Sequence, residues 1–165
     1  MEDLVSGDQE INRGGFIMSN NIRWICENQG VEMTIVLKVE TIFGIKFPKD
    51  YVECILKNDG GYPKPNRFTL NGNEEVFNNL LSLDEEDVSN IIETYNDVKD
   101  RLIERVIPFA EDPFGNLICF DYRNNEQPTI VFWQHEKAFN NKQAATKHLC
   151  DSFNDLLLML HESKE

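Results

Sequence analysis

Three histidines, four cysteines and several runs of carboxylates are the side chains of this 165-residue chain best able to do chemistry. His135 follows Trp133-Gln134 and precedes Glu136 at the expected end of a strand, where it reads as a polar strand-end residue rather than a catalyst or ligand. His148 and His161 fall in or beside the last expected helix, and a cation near a helix C-terminus is favoured by the dipole alone. Cys26, Cys54, Cys119 and Cys150 lie far apart, without the close ligand pairs that a zinc site uses. They read as buried, unreactive thiols of a reducing compartment. Paired carboxylates do acid–base work when their surroundings push their pKa values apart. Of the two acidic runs, Asp84-Glu85-Glu86-Asp87 reads as the first turn of a helix, where negative charge suits the dipole, and Glu111-Asp112 as a turn. No calcium-loop spacing is present. Ser82 and Ser152 read as helix caps, and no G-x-S-x-G surrounds either. Gly60-Gly61 and Gly115-Asn116 match neither phosphate-binding glycine pattern. The chain is therefore expected to carry no catalytic residues, no metal site and no cofactor.

The elements that would hold these residues follow from spacing. Residues 1–18, punctuated by Gly7 and Gly14-Gly15, read as a mobile leader, and 19–165 as one domain. A helix is expected over 21–29 with Ile22, Ile25 and Cys26 inward and Gly30 as its stop, and another over 33–43 stopped by Gly44. Pro48 starts a third, with Tyr51, Val52, Ile55 and Leu56 as its apolar stripe. Arg67–Leu70, the turn Asn71-Gly72 and a segment to Phe77 read as a hairpin. Ser82 and Glu85 form a capping box that opens the longest helix, about 83–105, on the face Val88, Ile91, Ile92, Tyr95, Val98 and Leu102. Strands are expected at 106–110, 117–122 and 129–133. Ser152 and Asp155 then cap a final helix carrying Phe153, Leu156, Leu157 and Leu160. The expected fold class is α+β: a single domain with a mostly antiparallel sheet, flanked by N-terminal helices, one long middle helix and a C-terminal helix.

Sixteen Lys and Arg against 29 Asp and Glu leave a net charge of −13. Phosphate-tracking surfaces and anionic membranes need the opposite sign, so neither nucleic acid nor membrane is the expected partner, and a cationic protein is favoured. No apolar run approaches the ~20 residues of a membrane helix. The N-terminus, Met1-Glu2-Asp3-Leu4, lacks the features of a secretory signal, so the cytoplasm is the expected location.

Glu40-Thr41-Ile42-Phe43-Gly44-Ile45-Lys46-Phe47-Pro48-Lys49-Asp50-Tyr51 followed by Asn58-Asp59-Gly60-Gly61 resembles the signature of the SUKH superfamily. Phe47 stands where Leu is commoner, and Asp59 intervenes before the glycine pair. Ile107-Pro108-Phe109-Ala110, Gly115-Asn116-Leu117-Ile118-Cys119-Phe120-Asp121 and Ser152-Phe153-Asn154-Asp155-Leu156-Leu157 follow in the family's order. The resemblance covers about residues 20 to 162. It implies a non-enzymatic protein: bacterial members resemble immunity proteins that neutralise toxins, often nucleases, and eukaryotic ones are regulators or scaffolds of cell-wall assembly. The acidic balance suits the first role, because nuclease toxins tend to be basic. The expectation is a cytoplasmic immunity protein that occludes a cognate basic toxin one to one, with a regulatory scaffold as the alternative. The expected contact face comprises the loop at Tyr62, the turn Glu111-Asp112 and the strand end Asp121-Tyr122.

Overall fold

The computed structural model describes residues 21–27 and 29–163, so the expected leader lies outside the described residues. Arg23–Ile25 form a strand, β1, rather than the expected helix. Its partner comes from far along the chain, and pairing overrides the weak helical pattern of so short a segment. Ile25, expected inward, is exposed, while Trp24 packs edge-on against Phe77. Gly30 is a point of close approach, not a helix stop: its N–H donates to Lys57 O, and a Cβ there would sit 2.0 Å from the Leu56 carbonyl oxygen.

Helix α1, Met33–Phe43, ends at Gly44 in the left-handed conformation, as expected. Helix α2, Lys49–Asn58, starts after Pro48 and buries Tyr51 and Ile55. Strand β2, Tyr62–Lys64, pairs antiparallel with β1. The expected hairpin is β3, Arg67–Leu70, and β4, Asn73–Val76. Asn71 and Gly72 both hold positive φ at its tip, as a two-residue turn of type I′ requires. A two-residue strand, β5, follows at Asn79–Leu80.

The expected 83–105 helix is much shorter. Helix α3 spans Ile91–Val98 and continues as a 3-10 turn, Lys99–Arg101. Asp84 Oδ1 accepts from Glu86 N–H, folding the acidic run into a turn instead of a first helical turn. Asn90 is the cap, its side chain accepting from Glu93 N–H at 2.8 Å. Val88, expected inward, is 95% exposed.

Three strands fall where expected: β6, Val106–Glu111, β7, Leu117–Asp121, and β8, Thr129–Trp133. Two single-turn helices, α4 at His135–Ala138 and α5 at Lys142–Ala145, lead into an unexpected strand, β9, Thr146–Cys150. Helix α6, Phe153–Met159, closes the described chain, with Ser152 accepting from Asp155 N–H as its cap.

Strands β5 to β9 form one antiparallel sheet in sequence order, confirming the α+β class. Successive residues point to opposite faces, and here both faces are covered. Ile118, Phe120, Ile130 and Phe132 meet α1, α2 and α6 in the larger core. Leu117, Cys119, Val131 and Trp133 meet Leu102, Ala138 and Ala145 on the other side. That double burial is why β7 and β8 read as continuous apolar runs. Tyr51 sits among Phe47, Phe109, Phe120 and Phe153, and Phe109 stacks on Phe120 at 4.1 Å.

Candidate functional site

The sheet separates the residues expected to meet a partner. Val106 pairs with Asp121 and Glu111 with Leu117, so Glu111-Asp112 and Asp121-Tyr122 stand at opposite ends of the β6–β7 pair. Five residues of strand put them roughly 17 Å apart. Tyr62 belongs to the Glu111 end: it is exposed on β2, Gly61 O accepts from Leu80 N–H, and Asn79 pairs with Glu111.

Asp112 is buried, and its carboxylate accepts from the N–H groups of Phe114 and Asn116 and from Asn116 Nδ2. It shapes the turn, and Glu111 beside it is half-buried. Asp121 binds Arg123 through two hydrogen bonds of 2.9 and 2.8 Å. Burial alone would raise its carboxyl, but the hydrogen bonds and charge of Arg123 outweigh that and hold it below the usual range. Tyr122 is buried and donates its hydroxyl to Lys46 O at 2.8 Å. Burial, with Glu40 adding to it, raises that phenol.

The histidines do not converge. The His135 ring lies against Gly115, His148 faces Asp151 at 3.4 Å, and His161 contacts Thr69. His148 sits in β9, a strand that sequence patterning missed, because Leu149 is its only buried side chain. The four cysteines are free; Cys119 is buried as expected, whereas Cys26, Cys54 and Cys150 are half-buried. Burial raises all four thiols, those of Cys54 and Cys150 to about 12, so each is protonated and weakly nucleophilic at neutral pH. No group of three or more His, Cys, Asp or Glu among the described residues is placed to hold a metal ion. No described helix is long and apolar enough to cross a membrane.

A feature that sequence reasoning missed lies beside Tyr62, in an acidic recess of about 260 Å³ lined by Asp59, Ser82 and Asp87. Asp59 is buried at the end of α2, and its carboxylate accepts from Leu83 N–H at 2.9 Å. The Ser82 hydroxyl faces Asp59 Oδ2 at 2.6 Å and Asp87 Oδ2 at 2.7 Å, while accepting from Asp84 N–H. One hydroxyl proton cannot serve both carboxylates. Burial raises the Asp59 carboxyl, the hydrogen bonds from Ser82 and Leu83 oppose it, and the charges of Asp87 and Asp84 raise it further. This arrangement ties the 83–90 loop to the end of α2. Asp59 is the residue that interrupts the Asn-Gly-Gly motif, so the departure from the pattern was the available signal.

Two larger clefts flank Arg105. One of about 470 Å³ is lined by Leu37, Thr41, Lys46, Tyr122 and Glu126, the other of about 410 Å³ by Ile42, Phe43, Ile92, Tyr95 and Glu104; Ile45 and Arg105 belong to both.

No curated protein matches the chain. The model of the SMI1 / KNR4 family (SUKH-1) matches residues 34–159, from the first turn of α1 to the last residue of α6. That span holds the cap at Gly44, the Pro48 helix start, the glycine pair and the whole sheet, and it makes up most of the chain: this protein belongs to the SMI1 / KNR4 family (SUKH-1).

Proposed function

We propose that this chain is a cytoplasmic immunity protein that binds a cognate basic toxin domain one to one and occludes it. The SMI1 / KNR4 family is in general non-catalytic and works through protein partners. The observation that carries the finer reading is the sign and pairing of the surface charge. The excess is 29 acidic residues over 16 basic. Glu93, Asp97, Asp100 and Glu104 are exposed without an ion-pair partner among the described residues. Unpaired surface charge of one sign adds little to folding, but it steers a partner of opposite sign and accelerates association. Neutralising a toxin by occlusion needs a complementary surface and no reacting group. Within this reading Tyr62 and Glu111 are contacts, Asp112 shapes the turn beside them, and Asp121 and Tyr122 shape the turn at the opposite end of the β6–β7 pair.

The test is capture on the tagged chain in its source cells, followed by binding of the captured protein across a salt series. The expected result is one stoichiometric basic partner, bound more weakly as salt rises, whose toxicity is silenced by co-expression of this chain. Several weak partners of unrelated sequence would favour a regulatory scaffold and overturn the immunity reading. Glu111→Lys is expected to slow association at low salt, and an unchanged rate removes that end of the sheet from the interface.

A further inference from the structure

The two clefts at Arg105 adjoin, and apolar side chains left open to solvent line them. Leu37 and Ile42 on α1 are 49% and 51% exposed. Phe43 and Tyr95, edge to face at 5.1 Å, are half-buried beside Ile45 and Ile92. Isolated exposed apolar residues are ordinary, but a contiguous set lining a groove marks an interaction surface.

The groove has a charged rim of one predominant sign. At 100° per residue, Ile92, Tyr95 and Asn96 share one side of α3, while Glu93 and Asp97 form the stripe next to it, and Asp100 follows on the 3-10 turn. Glu104 lines the cleft itself and Glu126 its neighbour. Lys46 is the other cation at this site besides Arg105.

Arg105 is in an unusual state at the join. It holds φ of +71°, a conformation that a long side chain adopts at some cost. Its Nε–H donates to Tyr122 O at 3.2 Å, and the guanidinium lies 6.0 Å from the Tyr122 ring centre. The terminal guanidinium nitrogens have no hydrogen-bond partner among the described residues. Strain of this kind persists where the surrounding structure enforces it, and it clusters at binding sites.

We infer that the groove between α1 and α3, centred on Arg105, is the docking surface for a cationic, apolar-anchored segment of a partner protein. The segment seats an apolar side chain against Ile42, Phe43, Ile92 and Tyr95. Its Lys or Arg side chains lie over Glu93, Asp97 and Glu104, and its main-chain carbonyls accept from the free Arg105 N–H groups. The choice of occupant rests on charge: a second copy of this chain would bring another −13 to an already acidic rim. This inference deepens the toxin-binding reading and rests on it for the partner's charge.

The test uses the full chain labelled for NMR, titrated with a short peptide of leucine and lysine and, separately, with oligolysine of equal charge. The expected result is that the amides of Ile42, Phe43, Asn96 and Arg105 shift with the leucine–lysine peptide, which binds about tenfold tighter than oligolysine. Ile42→Ser, at an exposed site, is expected to weaken the peptide about tenfold with the melting temperature unchanged. Arg105→Gly relieves the positive φ, so it is expected to weaken binding while leaving the fold at least as stable. Shifts confined to the 84–87 loop, equal binding of the two peptides, or full affinity in Ile42→Ser would overturn the groove. Shifts of the same amides on raising protein concentration without peptide would overturn it in favour of self-association. The two readings fail separately. A chain that silences its toxin undiminished by Ile42→Ser sinks the groove alone, while a groove that binds peptide in a chain with no toxin partner sinks the immunity reading alone.

Discussion

Replacing Asp59 by Asn and by Ala should give opposite results, because the carboxyl sits in a hydrogen-bond arrangement short of one proton. Ser82 has a single hydroxyl proton for Asp59 at 2.6 Å and Asp87 at 2.7 Å. Asn at position 59 keeps an acceptor for Leu83 N–H and offers an N–H to Ser82 Oγ, freeing the hydroxyl proton for Asp87. It also removes a buried charge that burial and Asp87 disfavour. At pH 8, Asp59→Asn should therefore match the parent within about 1 kcal/mol or exceed it. Alanine leaves the buried Leu83 N–H unsatisfied, at about 1–3 kcal/mol, and loses the Ser82 bond, so about 2–4 kcal/mol in all. With a urea slope of roughly 2 kcal/mol/M, a 3 kcal/mol loss lowers the midpoint by about 1.5 M.

The pH dependence follows from the direction of the shift. The Asp59 carboxyl is raised in the folded protein, so between its unfolded and folded values the native state binds the extra proton. Its contribution to stability is fully present below the unfolded value, about 3.9, and is lost as pH rises through the folded value. Urea midpoints of parent and Asp59→Asn, compared from pH 4 to pH 8, should diverge in favour of the variant as pH rises. Other carboxyls, Asp121 among them, titrate in both proteins and cancel in the difference. A constant difference across that range, or Asp59→Asn as damaging at pH 8 as Asp59→Ala, would refute the shared-proton account.

Three further outcomes are expected. Gly30→Ala forces a Cβ to within 2.0 Å of the Leu56 carbonyl oxygen; backbone must move, and thermal unfolding should show a loss of about 2–4 kcal/mol. Tyr51→Phe removes a buried hydroxyl that has no hydrogen-bond partner among the described residues, while the ring keeps its aromatic neighbours, so urea unfolding should show equal or higher stability, by up to about 1 kcal/mol. Arg101→Ala removes the guanidinium that lies 4.2 Å from the Phe139 ring centre and donates to His135 O; a loss of about 1–2 kcal/mol is expected, and a changed Trp133 fluorescence should accompany it, since the same guanidinium lies 5.2 Å from the Trp133 ring centre.

What the chain discloses locally and what it withholds divide along sequence separation. The αL residue at Gly44, the Pro48 helix start, the Asn71-Gly72 turn and the Ser152 cap each act within a few residues, and each is where its spacing predicts. Strand β1 exists because Trp24 meets Pro63, and β9 because its backbone bonds to β8; neither partner is visible from inside the segment. The overlong middle helix shows two local signals in competition. Ser82-x-x-Glu85 and Asn90-x-x-Glu93 both satisfy the capping pattern, and periodicity alone favours the earlier one because it lengthens the amphipathic run. Ser82 Oγ accepts from Asp84 N–H, two residues on, rather than from Glu85 N–H, while its hydroxyl faces Asp59, 23 residues earlier, so the earlier pattern folds as a turn and Asn90 caps the helix. The candidate surface was harder to read for the same reason. Ile92 and Tyr95 look like core on their own helix, since periodicity reports that a face is apolar and not whether another element covers it. Arg105 gives no sign in sequence of its positive φ. Family-specific scaffold positions are thus set by short-range backbone chemistry, whereas the groove arises only where α1, α3 and the start of β6 meet. Partner choice can therefore change through exposed residues such as Ile42 without disturbing the positions by which the family is recognised.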